Sequence, residues 1–128
     1  MNKTLIFFLL LYLLACDRSA KKLDYTSINF DKVSHDFGKI KYKKDVQFSF
    51  EFKNTGKTPL IISEVTTSCG CTVPQWTKQP VPPGKNGEIQ INYDTSYPGI
   101  FSKTITVFYN GEDSPKVLAI KGSVKYPE

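Results

Sequence analysis

From Val46 to Lys53 apolar and polar residues alternate without a break. Val46, Phe48, Phe50 and Phe52 fall on one side, and Gln47, Ser49, Glu51 and Lys53 on the other. A period of two marks a strand with one face in a core and one in water. Residues 45–54 are therefore read as the clearest strand of the chain. A buried phenylalanine contributes up to ~3 kcal/mol, so this strand should anchor the core. Residues 60–67 are rich in β-branched side chains and make a second strong strand. The alternation returns at 88–93 around Ile89, Ile91 and Tyr93. At 101–109 it sets Ile105, Val107 and Tyr109 against Thr104, Thr106 and Phe108, and 117–124 reads as the closing strand. Ile28 and Phe30 open the first strand, which resumes at Val33-Ser34-His35-Asp36-Phe37 after a break at Asp31-Lys32.

Turn residues separate these runs. Asn54-Thr55-Gly56-Lys57-Thr58-Pro59 is a turn in which Gly56 is free to take positive φ. Residues 79–87 hold three prolines and two glycines, which remove donors and permit a tight turn. Tyr97-Pro98-Gly99 turns the chain again. Asn110-Gly111 is a hairpin signal that Glu112-Asp113-Ser114-Pro115 lengthens beyond two residues. After Cys71, Val73 and Trp76 carry apolar bulk across a less regular segment, with Trp76 expected in the core or on its rim. No amphipathic helix appears after the first fifteen residues. About seven short strands with turns at intervals of roughly 8–12 residues predict an all-β fold, a single immunoglobulin-like β-sandwich.

Composition agrees with one domain. A chain of 128 residues supports one modest core, and 40% apolar residues exclude a disordered chain. The formal charge of +5 suits an acidic surface but is too diffuse to imply nucleic acid. The densest basic run, Lys39-Ile40-Lys41-Tyr42-Lys43-Lys44, reads as a solvated hairpin end whose lysines discourage edge pairing; the other reading is a patch for an acidic partner or a lipid surface. His35, the only histidine, is expected at the surface or an edge.

The N-terminus has a separate logic. Lys3 supplies a positive start, and Leu5 to Leu14 is an apolar run of ten residues. That is too short for a spanning helix, which needs ~20 residues, and right for the h-region of a secretory signal. Leu13-Leu14-Ala15-Cys16 resembles the lipobox of bacterial lipoproteins, with Leu14 bulkier than the residue usual there. The resemblance implies cleavage before Cys16, acylation of its thiol, and acylation of the new amino group. The bland alternative is an ordinary signal peptide followed by a chance cysteine. Loss of Lys3 with residues 1–15 takes the charge from +5 to +4. Residues 16–26 then form a polar, basic tether, and 27–126 the sandwich. The implied location is the envelope of a Gram-negative-type bacterium, lipid-anchored and periplasmic or outer-membrane associated. Disulfides are permitted in such a compartment.

One stretch carries residue types suited to chemistry. Cys69-Gly70-Cys71 holds the only thiols besides Cys16. The pair is too close in sequence to bridge two sheets. Residues i and i+2 of an extended strand have Cα atoms near the ~6.8 Å upper limit for a disulfide, so a bridge requires a bend, which Gly70 allows. A strained small ring is easily reduced and suits redox exchange. Reduced, Cys69 and Cys71 could hold a soft metal ion such as Cu(I); zinc wants four ligands. The structural alternatives are a static bridge that pins a loop, or two thiols packed as small hydrophobes. No serine–histidine–acid set, carboxylate pair or phosphate loop stands out, so no enzyme is expected and no cofactor beyond that copper.

The order of segments is itself distinctive. A His-Asp-Phe-Gly segment leads to Phe48-Ser49-Phe50-Glu51-Phe52-Lys53-Asn54-Thr55-Gly56 and Pro59-Leu60-Ile61-Ile62. Ser68-Cys69-Gly70-Cys71-Thr72, Pro82-Pro83-Gly84, Ile89-Gln90-Ile91-Asn92-Tyr93, Pro98-Gly99-Ile100-Phe101 and Ile120-Lys121-Gly122-Ser123-Val124 follow. This order resembles the bacterial "domain of unknown function 1573" family, mostly secreted or lipid-anchored envelope proteins. The resemblance covers about Phe30 to Val124. It implies an immunoglobulin-like sandwich akin to major-sperm-protein and Hydin-type domains, and implies no activity. The reading is a lipid-anchored envelope protein whose sandwich is a binding or structural module. It would meet the membrane through Cys16, and an envelope protein partner. The alternative is a thiol site at Cys69-Gly70-Cys71.

Overall fold

The computed structural model describes residues 25–128. The expected signal peptide, Cys16 and nearly all of the expected tether lie outside these residues. Eight strands follow in order: β1 (Ile28–Phe30), β2 (Ser34–Ile40), β3 (Val46–Asn54), β4 (Ile62–Thr67), β5 (Thr72–Trp76), β6 (Asn86–Tyr93), β7 (Gly99–Tyr109) and β8 (Lys116–Val124). They form two four-stranded sheets, ordered β1-β3-β6-β5 and β2-β8-β7-β4. Neighbours are antiparallel except β2 and β8, which run parallel.

The core lies between the sheets where the alternation placed it. Phe50, Phe52, Ile89 and Ile91 from one sheet meet Ile105, Val107, Leu118 and Ile120 from the other, all essentially without solvent contact. Glu51 and Lys53 face water, as their parity requires.

The count is eight rather than about seven because two irregular-looking places are sheet changes. The first strand divides at Asp31-Lys32-Val33. β1 pairs with β3 in one sheet, and β2 with β8 in the other. Thr72–Trp76 is a full strand despite Pro74. It lies at a sheet edge, where a proline costs no ladder donor. The basic run around Lys41 is likewise no hairpin end, because β2 and β3 belong to different sheets. There Lys43 takes a left-handed φ of 55°, held by its N–H to the Thr95 carbonyl at 3.2 Å.

His35 lies on the edge strand β2, within the expectation of a surface or edge position, and is half-buried there. Positions 35 and 37 of a strand share a face, and that face turns inward. The imidazole stacks on Phe48 with ring centres 3.7 Å apart and meets Phe37 edge-on at 4.6 Å.

The registers give the sandwich two poles. Thr72↔Tyr93, Val46↔Tyr93 and Gly99↔Val124 mark one end. Ile28↔Asn54, Ile62↔Tyr109 and Val107↔Lys116 mark the other. Thr26 sits at this second pole, bonded to Asn54 and bridged to Gly111. The nine residues of β3 at ~3.4 Å each separate the poles by about 30 Å.

Candidate functional site

Cys69, Gly70 and Cys71 form the corner where the chain leaves β4 in one sheet for β5 in the other. The corner is tied to its surroundings on three sides. The Ser68 N–H donates to the Thr104 carbonyl, and the Thr104 N–H returns a bond to Ser68 Oγ, both at 3.1 Å. The Thr72 N–H donates to the Cys69 carbonyl at 3.1 Å and closes a four-residue turn. The Asp94 N–H donates to the Cys71 carbonyl at 2.8 Å and fixes the corner to the loop after β6.

The turn brings the Cα atoms of Cys69 and Cys71 to 5.2 Å, and the two sulfurs are joined as a disulfide. That separation is well inside the range a bridge accepts. Gly70 is not the source of the bend through left-handed φ, since it is absent from the positive-φ positions. A Cβ at Gly70 would meet nothing within 4 Å. The glycine leaves open space over the bridge instead.

The two sulfurs have different surroundings. Cys69 is half-buried, while Cys71 is 9% exposed. The Cys71 N–H donates to Cys69 Sγ at 3.1 Å. The Thr72 hydroxyl lies 4.0 Å from Cys71 Sγ. Thr72 itself is buried.

A cleft of about 530 Å³ opens beside the bridge, lined by Cys69, Gly70, Cys71, Tyr93, Tyr97 and Lys103. Its origin is a mismatch in strand length. β4 ends with Thr67 opposite Ile105, whereas β7 begins at Gly99. β4 is the lateral neighbour of β7, so beyond Ser68 and Thr104 residues 99–103 of β7 form an open edge of that sheet at this pole. Tyr93 stacks on Phe101 there, ring centres 3.8 Å apart. Burial, with Asp94 adding to it, pushes the Tyr93 hydroxyl above its ordinary pKa, so the phenol is neutral at physiological pH. Tyr97 stands out from the loop, 61% exposed. Lys103 occupies an inward register position between buried Phe101 and Ile105. It has no carboxylate partner among the described residues.

The structure thus brings Cys69 and Cys71 together as a bridge. With the sulfurs bonded to each other neither is a thiolate, so the expected Cu(I) site belongs to the reduced pair. His35 is on β2, at the far side of the second sheet from β4, and contributes nothing here. Among the described residues no three His, Cys, Asp or Glu side chains gather as a metal site. Cys16 lies outside the described residues. Sequence reasoning missed Tyr93, Tyr97, Lys103 and Thr72. Lys103 did leave a signal, as the one charge in the apolar series Phe101, Ile105, Val107 and Tyr109.

The fold is shared widely. A protein of unknown function from Porphyromonas gingivalis W83 superposes with a TM-score of 0.65 at 16% identity, over 77% of this chain and 46% of that one. This chain thus spans just under half of that protein. The ASH/PapD-like domain 7 of human CEP192 gives a TM-score of 0.65 at 9% identity, covering 82% of this chain and 88% of that one. WR4, a C. elegans member of the MSP family, gives 0.50 at 11% identity, covering 76% and 96%. At these identities the likeness shows the fold alone. No curated protein is significantly similar in sequence. A family model described as "Protein of unknown function (DUF1573)" matches residues 28–124.

Proposed function

This chain belongs to the DUF1573 family, and from that premise we propose that it is a lipid-anchored binding module of the bacterial cell envelope. The anchor in this proposal is acylated Cys16, and the compartment is periplasmic or outer-membrane associated. The role is binding rather than catalysis. The partner is an envelope protein, with no part for nucleic acid.

One observation carries the reading. The domain begins at the Thr26–Asn54 pole, and the cleft with Tyr97 and the Cys69–Cys71 bridge lies at the opposite pole. A tether arriving at the first pole leaves the second facing away from the membrane. Loops at one end of a rigid sandwich are a common recognition surface, and an exposed tyrosine beside a recess is a common anchor at interfaces. A photoreactive residue at position 97 in native envelopes tests this. It should cross-link a protein partner, while the same residue at position 57, on the tether pole, should not. Cross-linking from 57 but not from 97 would reverse the orientation and sink the proposal.

A second reading is favoured by the bridge itself. Cys69 and Cys71 act as a reducible pair that exchanges thiols or, once reduced, takes up Cu(I). An open cleft next to a half-buried sulfur gives a thiol a way in.

A further inference from the structure

We infer that Cys69 is the sulfur through which this domain exchanges disulfides with cysteine-bearing polypeptides. Cys71 is the sulfur released, and Lys103 the charge that draws the attacking thiolate into the cleft. The inference rests on the thiol-exchange reading and assigns the two sulfurs unequal roles.

Thiol–disulfide exchange needs a thiolate to reach one sulfur in line with the bond to the other, so access selects the atom attacked. Cys69 is half-buried on the cleft, Cys71 nearly enclosed, and nothing stands over Gly70 between them. The attacked and released sulfurs must also be stabilised differently. Cys69 Sγ accepts the Cys71 N–H at 3.1 Å. That bond favours charge on Cys69 when it leaves in the second step; in the first step it opposes release of Cys71, so access and not this bond selects Cys69 as the sulfur attacked. Cys71 Sγ has the Thr72 hydroxyl at 4.0 Å, a donor for the charge that appears there first. Among the described residues that hydroxyl has no other hydrogen-bond partner, whereas Thr67 already serves the Cys69 and Thr72 carbonyls.

Lys103 supplies the third part. A lysine at an inward strand position without a carboxylate is rare, because its charge gains nothing from the core. Here it opens onto the one cleft that holds the bridge. A cation beside a cysteine favours the thiolate over the thiol. It also favours an approaching thiol that carries negative charge.

The chemistry balances with a dithiol polypeptide as co-reactant. Its thiolate attacks Cys69 Sγ, a mixed disulfide forms, and the Cys69–Cys71 bond breaks. The electron pair leaves on Cys71 Sγ, which takes a proton from solvent. The second substrate thiol, as thiolate, then attacks the substrate sulfur of the mixed disulfide, and Cys69 leaves as a thiolate. The substrate loses two electrons and gains a disulfide; the Cys69–Cys71 pair gains both electrons.

Reduced glutathione is the probe. The full-length protein in detergent is reacted with it, quenched with N-ethylmaleimide, and mapped by peptide mass spectrometry so that Cys16 is scored separately. Glutathione should be found on Cys69 and maleimide on Cys71. The reverse pattern, or equal labelling, would overturn the assignment and leave the exchange reading standing. A bridge that dithiothreitol cannot open would overturn both. In parallel, Cys71→Ala should form an adduct with oxidised glutathione roughly tenfold faster than Cys69→Ala. Lys103→Ala should slow opening of the bridge by the thiolates of both reagents, and more for 3-mercaptopropionate, which carries a second negative charge, than for 2-mercaptoethanol. Unchanged opening by both would remove Lys103 from the mechanism.

Discussion

At the scale of single residues, one determinant of the fold is a buried polar side chain. Asn54 has no solvent exposure, yet every hydrogen-bonding position of its side chain is used. Oδ1 accepts from Thr26 Oγ1 at 2.7 Å and from the Gly56 N–H at 2.9 Å. Nδ2 donates to the Thr58 carbonyl at 2.8 Å and the Val81 carbonyl at 2.9 Å. A single side chain therefore ties the first described residues to two loops. Asn54→Ala leaves several buried groups unpaired at ~1–3 kcal/mol each, and the denaturant midpoint should fall by the equivalent of at least ~3 kcal/mol. A loss under ~1 kcal/mol would mean that the loops are held by other contacts. The two glycines at turns divide in an unexpected way. A Cβ on Gly56 would lie 2.5 Å from the Ser27 nitrogen and 2.7 Å from Thr26 Cα, whereas Gly70 has open space. Gly56 is there for close approach of the backbone, not for a left-handed φ. Gly56→Ala should destabilise clearly and Gly70→Ala by no more than ~1 kcal/mol, with its bridge intact in a free-thiol assay. His35 gives a pH dependence with a definite sign. Burial, and then Lys32, lower its pKa below the ordinary 6.5, partly opposed by Asp36. The neutral imidazole is thus the form the fold prefers. Its stabilisation is fully present above 6.5 and is lost as pH falls through 6.5 towards the lower folded value. Denaturant midpoints measured between pH 7 and pH 5 should decline, and His35→Gln should flatten that part of the slope.

At the scale of elements, the sandwich is closed along both long edges by strands that change sheets. Asp31-Lys32-Val33 carries the chain from β1 to β2 on one edge, and Ser68 to Cys71 carries it from β4 to β5 on the other. Such switches leave short edges, which limits pairing with other chains. The second switch contains the bridge, but the bridge is not what holds it. Backbone bonds to Thr104 and Asp94 and the turn from Cys69 to Thr72 remain without it. A ring closed by residues two apart removes little entropy from the unfolded chain. The double variant Cys69→Ser with Cys71→Ser should therefore fold and lose less than ~2 kcal/mol, with thiol exchange and Cu(I) uptake abolished. Unfolding of that variant at 25 °C would return the bridge to a structural role. The strand-length mismatch that makes the cleft belongs to this scale as well.

At the scale of the whole molecule, the two poles matter most. The described domain starts about 30 Å from the bridge along β3. The proposed acylation of Cys16 would therefore set the cleft away from the bilayer. Several acyl chains at ~0.8 kcal/mol per buried CH₂ anchor a protein stably. Wild type should partition into the detergent phase and carry a lipid mass, and Cys16→Ser should do neither. Equal partitioning of both would remove the anchor from the proposal.

What the sequence determined by itself is the long strands β3, β4, β6, β7 and β8 and the buried faces of the alternating ones; the division of β1 from β2 and the strand β5 came only from the fold. A period of two is a local property, so Phe50, Phe52, Ile89, Ile91, Ile105 and Val107 could be placed in the core without knowing their partners. The turn at Pro82-Pro83-Gly84-Lys85 was legible for the same reason, with Gly84 at a φ of 77° and the Lys85 N–H returning 3.0 Å to the Pro82 carbonyl. Cys69 and Cys71 were legible as a pair because their spacing alone puts the sulfurs within reach. Tertiary structure alone decided which strands share a sheet. Neighbours in sequence are split between the sheets at β1–β2, β2–β3, β3–β4, β4–β5 and β6–β7, and no local pattern encodes that choice. It also decided that β4 stops short of β7, which turned an odd inward lysine, two tyrosines and a small bridge into one cleft. Those residues are up to thirty-four positions apart, from Cys69 to Lys103. Their meeting depends on registers fixed by side-chain packing between strands, a property of pairs of segments and not of any one of them.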